Sequence, residues 1–67
     1  MDDLQKLEHL LHHWIEHNNE HADTYREWSE KASALGNRQL ADILGKIYNE
    51  TKKMSGLFEE AIKSIKG

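Results

Sequence analysis

The chain has 67 residues, enough for one domain at most, and a core of that size rarely suffices without support from a ligand or a second chain. It contains no cysteine, which excludes disulfides, thiolate zinc sites and protein-held iron–sulfur clusters, and leaves self-association or a histidine-bound metal as support. The formal net charge is −3 with neutral histidines, and the nine basic residues are interleaved with the twelve acidic ones, which argues against nucleic acid and anionic membrane as partners.

The sequence contains no stretch with the apolar length of a signal-peptide core or of a membrane-spanning helix. A membrane-spanning helix needs about 18 consecutive apolar residues, whereas charged residues interrupt the apolar ones throughout this chain. We therefore expect a soluble, cytoplasmic protein without a membrane partner.

Two helices are predicted on either side of Gly36-Asn37, the strongest break in a helix-forming composition that lacks proline. Asp2 opens a capping box, so the first helix should extend over about residues 3–35. Gly36 is placed to take the left-handed conformation that ends a helix. Asn37 is the expected N-cap of the second helix, over about residues 38–66.

A pattern with alternating spacings of three and four runs along both predicted helices. Its members are Leu4, Leu7, Leu11, Trp14, Asn18, His21, Tyr25, Trp28, Ala32 and Leu35 in the first helix, and Leu40, Leu44, Ile47, Thr51, Met54, Phe58, Ala61 and Ile65 in the second. Two such tracts joined by a turn at residues 36–37 predict an all-α protein: a two-helix antiparallel hairpin with heptad packing, forming a single domain over residues 1–67. In that register Trp14 should face Ala61 and His21 should face Met54.

Further apolar residues lie beside this pattern, at Leu10, Ile15, Ile43, Tyr48, Leu57 and Ile62. The resulting apolar stripe is wider than one partner helix covers. We therefore predict a homo-oligomer, in which two hairpins dimerise into a four-helix bundle. A domain-swapped or larger assembly is one alternative. A break at Gly56, which would give three helices, and a distortion at Asn18-Asn19 are others.

Residues 9–21 contain all five histidines of the chain. His13, His17 and His21 are spaced by four, which places successive imidazoles on one side of a helix, close enough for two neighbours to share a metal ion. Each step rotates the side chain by about 40°, so one helix offers two histidines to an ion more readily than three. We predict His17 and His21 as metal ligands, with His13 auxiliary. Two such pairs from two chains would provide four nitrogens for zinc, nickel or copper.

A metal-free interpretation starts from the same positions, because Asn18 and His21 are polar members of an otherwise apolar pattern. A buried asparagine fixes helix register and oligomeric state in coiled coils, so the protein is alternatively a metal-free homo-oligomeric interaction module. The candidate functions are thus a metal-binding sensor, carrier or metal-stabilised adaptor, and that module.

Enzyme-like patterns are also present, since His13, Glu16 and His17 match the H-x-x-E-H pattern of zinc hydrolases, and the histidine spacings resemble those of di-iron bundles. The second helix contains no histidine, and so short a helical chain has little room for a substrate cleft. We expect no enzymatic activity, and a di-iron or zinc-hydrolase-like site is the third alternative. We also expect no bound haem or nucleotide, because Leu and Trp packing would fill a haem cavity.

The run at residues 12–32, HHWIEHNNEHADTYREWSEKA, resembles a small family of bacterial and archaeal proteins that share the pattern H-W-I-E-H-N-x-x-H-A-x-x-[FY]-x-x-W. His13, His17, Asn18 and His21 match that pattern position by position. Members are short helical proteins without an assigned activity, and many carry a histidine-rich N-terminal tail, which this sequence lacks. The resemblance implies a helical fold and the handling of transition metals.

Overall fold

The computed structural model describes residues 2–67, which form two long helices, α1 (Asp3–Ala34) and α2 (Arg38–Lys66). The helices pack side by side in opposite directions, and the hairpin measures 51 × 16 × 10 Å. The predicted all-α antiparallel hairpin is confirmed. Both helices run unbroken through Asn18-Asn19 and Gly56, so the three-helix alternative and the local distortion are wrong.

Local capping signals set the helix ends close to where the sequence predicts them. The Asp2 side chain accepts a hydrogen bond from the Gln5 backbone N–H at 2.8 Å, and the Asn37 side chain accepts one from the Leu40 backbone N–H at 3.1 Å. Gly36 has φ of 86°. The Gly36 and Asn37 N–H groups donate to the carbonyls of the last turn of α1, the Schellman arrangement that satisfies a helix C-terminus. The chain therefore reverses direction in a short, fully hydrogen-bonded turn.

The contact between α1 and α2 is built mainly from small side chains. The buried residues are Leu11, Ala22, Ala32, Ala41, Ser55 and Ile62. The Ser29 hydroxyl donates to the backbone carbonyl of Ala41 at 2.7 Å, and a Cβ added at Gly45 would lie 3.9 Å from the Ser29 Oγ. A side chain as short as serine reaches the backbone of the other helix only if the two helices approach closely.

This close approach changes the predicted register. Trp14, His21 and Trp28, which the spacing pattern places between the helices, are all exposed. The Trp14 ring lies 6.2 Å from the Phe58 ring between centroids, about one turn of α2 before Ala61, the predicted partner. Small residues allow the two backbones to approach closely. The contact between the helices is therefore made mainly by small residues, and the large side chains of the spacing pattern lie outside it. The predicted pairing of His21 with Met54 inside the hairpin is therefore wrong.

Within residues 2–67, neither helix is long and apolar enough to cross a membrane.

Candidate metal-binding groove and apolar face

An exposed apolar face follows from the register of the hairpin. Its members on the α1 side recur every seven residues, at Leu7, Trp14, His21, Trp28 and the C-cap residue Leu35, and its α2 members also recur every seven, at Leu40, Ile47, Met54 and Ala61. Seven residues are close to two helical turns, so each ladder lies on one side of its helix. We call these nine residues the apolar face. Trp28 is 52% exposed and Met54 is 48% exposed, so about half of each residue stays uncovered within the chain.

The three predicted metal ligands lie together in an open groove on this face. The groove has a volume of about 400 Å³ and is lined by His13, Trp14, His17, Asn18, His21 and Phe58. Trp14 and His21 belong to the ladder of α1, while Phe58 comes from α2, one turn after Met54. Both ladders therefore lie on the same side of the hairpin, with the groove near the middle of α1.

The ring contacts in the groove differ in part from the predicted pair. The His13 and His17 rings lie 4.4 Å apart between centroids, tilted by 52°. The His21 ring stacks on Tyr25 at 6.3 Å, with an angle of 19° between the rings. The predicted pair was His17 and His21, with His13 auxiliary. The structure brings all three to one surface and puts His13, rather than His21, in ring contact with His17.

One chain provides fewer ligands than a closed metal site needs. In the part of the chain that the structure describes, no three histidine, aspartate or glutamate side chains converge closely enough to hold an ion. A tetrahedral structural zinc site uses four protein ligands. A complete site in this groove would therefore need ligands from a second chain.

Asn18 makes a hydrogen-bond network with α2 at the edge of the groove. Its Nδ2 donates to the Thr51 carbonyl at 2.6 Å and to the Ser55 hydroxyl at 2.8 Å. The Ser55 hydroxyl in turn donates to the Asn19 Oδ1 at 2.8 Å. Asn18 thus has the packing role that the sequence allowed for it. Ser55 was not predicted to lie between the helices, because the spacing pattern placed its neighbour Met54 there.

The Asn18 network should contribute measurably to stability. We expect Asn18→Ala to lower the free energy of unfolding by about 1–2 kcal/mol, because the buried Ser55 hydroxyl and the Thr51 carbonyl lose a donor. A double-mutant cycle with Ser55→Ala, measured by guanidinium unfolding, should give a coupling energy of about 1 kcal/mol. Strictly additive effects of the two substitutions would show that the bond contributes nothing.

The opposite side of the hairpin carries charged and apolar side chains together. The Lys66 ammonium lies 3.3 Å from the Glu8 carboxylate, and the Lys52 ammonium lies 3.5 Å from the Asn19 Oδ1. His12 also belongs to this side, where it lines a second groove with Ile15, Glu59, Ile62 and Lys63. His12 is therefore separated from the groove that the other three histidines line.

Comparison with known proteins places the chain in a family. The sequence profile of a family described as Domain of unknown function (DUF8180) matches residues 7–65. The chain belongs to this family. The DUF8180 match includes the groove and all of the apolar face.

An archaeal relative and the solved structures complete the comparison. A protein of Archaeoglobus fulgidus, named only as an uncharacterized protein, is 26% identical over 62 residues, which cover 92% of this chain and 98% of the archaeal one. No solved structure matches the chain. These findings agree with the predicted membership of a family without an assigned activity that has an archaeal member. The shared histidine motif and the histidine-rich tails of other members stay predictions.

Proposed function

We propose that the protein is a small homodimeric helical protein that binds a transition metal through His17 and His21 of each chain, with His13 auxiliary. It would act as a sensor, a carrier or a metal-stabilised adaptor. The observation that carries the proposal is the groove, in which three histidines share one surface with the exposed Trp14 and the half-buried Phe58. A second chain that docked on the exposed apolar side chains would also cover the histidines that lie among them.

The chemistry of the groove suits zinc, nickel or copper. Neutral imidazole nitrogens are ligands for all three ions, and His17 and His21 lie one turn apart on the same helix. A second chain docked on the apolar face would bring its own pair, which gives the four nitrogens of a closed site. Covering the groove would also exclude water from the imidazoles and strengthen their interaction with the ion.

Metal titration of the metal-stripped protein tests this proposal. We expect calorimetry with zinc or nickel to give a defined stoichiometry per dimer. Thermal unfolding should show a stabilisation of about 2.7 kcal/mol when the free metal concentration is 100 times Kd. Both effects should disappear in the double variant His17→Ala/His21→Ala, because each chain then loses its predicted pair. His13→Ala should weaken binding without abolishing it.

The matched control is His12→Ala, which removes a histidine from the opposite side of the same helix. This variant should bind metal as tightly as the parent. Equal binding by the parent and by His17→Ala/His21→Ala would refute the site. A loss in His12→Ala as large as in the double variant would indicate nonspecific binding to surface histidines.

A second candidate function is the metal-free interaction module, and the apolar face and the Asn18 network favour it. In that case the protein associates through the same face, Asn18 sets the register, and the histidines contribute only packing. Association of the metal-stripped protein, with no change in melting temperature on adding metal, would support this function over the first. A cytoplasmic location, the lack of enzymatic activity and the lack of nucleic-acid partners stay predictions.

A further inference from the structure

The ladder of α1 has a symmetric order of residue types. Read in either direction it is leucine, tryptophan, histidine, tryptophan, leucine, with His21 at the centre. A two-fold axis perpendicular to the helix at His21 would place Leu7 on Leu35 of a second chain and Trp14 on Trp28. Each layer of such an interface would then pair identical residue types.

The ladder of α2 is centred at the same height. Its midpoint falls between Ile47 and Met54, and the hydrogen bond from Asn18 to Thr51 puts that level of α2 beside the middle of α1. The same axis would pair Ile47 with Met54 and Leu40 with Ala61 of the second chain. A single two-fold rotation therefore pairs the ladder of α1 with the second α1 and the ladder of α2 with the second α2.

The exposed area of the chain is large enough for a second copy of the chain to be the partner on the apolar face. A compact monomer of 7.8 kDa should expose about 4,400 Å², whereas this chain exposes 5257 Å². The excess of about 900 Å² is close to the ~800 Å² that each partner contributes to a stable protein interface. No residue of the apolar face carries a formal charge when His21 is neutral, so two copies of the face meet without charge repulsion.

We infer that two copies of this chain dock through their apolar faces about a two-fold axis that crosses α1 at His21, with the turns of the two hairpins at opposite ends of the bundle. Each α1 then packs antiparallel against the α1 of the second chain, and each α2 against the second α2. The inference rests on the proposed function, because it takes the second chain of the metal site to be another copy of this protein.

This arrangement defines the centre of the proposed metal site. The His21 side chains of the two copies face each other on the axis, and each His17 lies four residues away, about 6 Å along its helix. The four proposed ligands therefore all lie within about 6 Å of the axis, measured along the helices. Docking with both turns at the same end would instead stack α1 on the second α2 and separate the two histidine groups across the bundle.

Cysteine cross-linking of the metal-free protein distinguishes these arrangements, and the natural absence of cysteine makes single-cysteine variants unambiguous. Under mild oxidation at micromolar concentration, we expect His21→Cys to form a disulfide-linked dimer, because facing positions on packed helices fall within disulfide reach. Asp23→Cys, two residues further and on the far side of α1, is the control and should stay monomeric on a denaturing gel.

The ends of the ladder test the direction of docking. An equal mixture of ¹⁵N-labelled Leu7→Cys and unlabelled Leu35→Cys should give mostly the mixed disulfide, identified by mass. Failure of the mixed disulfide to exceed the self-linked products would overturn the inference, as would a monomeric parent protein in sedimentation. Mixed disulfides in a protein that binds no metal would keep the docking and refute only the metal proposal. Metal bound per dimer without the mixed disulfide would refute only the docking.

Discussion

Trp28→Glu is expected to weaken the proposed self-association at least ~100-fold, which corresponds to about 2.7 kcal/mol, and to leave a folded monomer. Trp28 is half exposed within its own chain, so its replacement should affect packing inside the hairpin less than it affects the proposed interface. In the dimer it would lie against Trp14 of the second copy. A glutamate there would bury one unpaired carboxylate per chain, at a cost of several kcal/mol.

The measurement is sedimentation equilibrium over a micromolar concentration range, with the helix content checked by circular dichroism. Asn49→Glu is the control, because it adds the same charge at an exposed position on α2, two residues after Ile47 and on the other side of that helix. It should leave the association constant unchanged. Dimerisation of Trp28→Glu with parental affinity would mean that the apolar face is not the interface.

Ala22→Leu is expected to destabilise the hairpin by about 3 kcal/mol, the upper end of overpacking effects in closely packed cores. Ala22 is completely buried between the helices. A larger side chain would push α2 away. The two bonds that need a short distance between the helices, Asn18 to Thr51 and Ser29 to Ala41, would then lengthen or break. For a 67-residue domain with about 0.05–0.15 kcal/mol of stability per residue, or about 3–10 kcal/mol in all, this loss would remove from about a third to nearly all of the stability.

Guanidinium unfolding at a fixed protein concentration measures this effect. Ala34→Leu makes the same chemical change at the exposed last residue of α1, and it should alter the free energy of unfolding by no more than about 0.5 kcal/mol. A tolerant response to Ala22→Leu would show that the helices separate easily and that their contact is not close-packed.

The fold was predictable because its signals are local. Asp2, Gly36 and Asn37 act on their own helix ends, whichever way the helices pack, and all three make the capping contacts expected of them. Side-chain spacing likewise identified two long amphipathic helices. Neither kind of signal depends on the register between the helices.

The contact surface between the helices was harder to predict, because each helix has two rows of residues that could face the other helix. One row consists of large side chains and the other of small ones. The spacing of three and four gave weight to large side chains such as Trp14 and Trp28. The structure instead buries Ala22 and Ser55 between the helices. Close approach of two backbones favours small residues, and an alanine or serine gives little signal in an apolar pattern. The spacing pattern therefore placed Trp14 and Trp28 between the helices, whereas both are exposed in the structure.

The candidate site was predictable only in part, for a related reason. The spacing of His13, His17 and His21 gives the side of the helix on which they lie, and the structure puts them in one groove. Spacing along one helix does not determine what faces that side. His21 was assigned to the inside of the hairpin, whereas it lies in the open groove, where a neighbour from the same chain does not cover it.

The hairpin is a plate one helix thick, 10 Å in its smallest dimension, and among residues 2–67 no large side chain is fully withdrawn from water. Much of the free energy that keeps such a plate folded would have to come from the copy laid against it. The melting temperature would then rise with protein concentration. A newly made chain would fold as a less stable hairpin and would gain its full stability, and its full protection from proteases, only when it met a second copy.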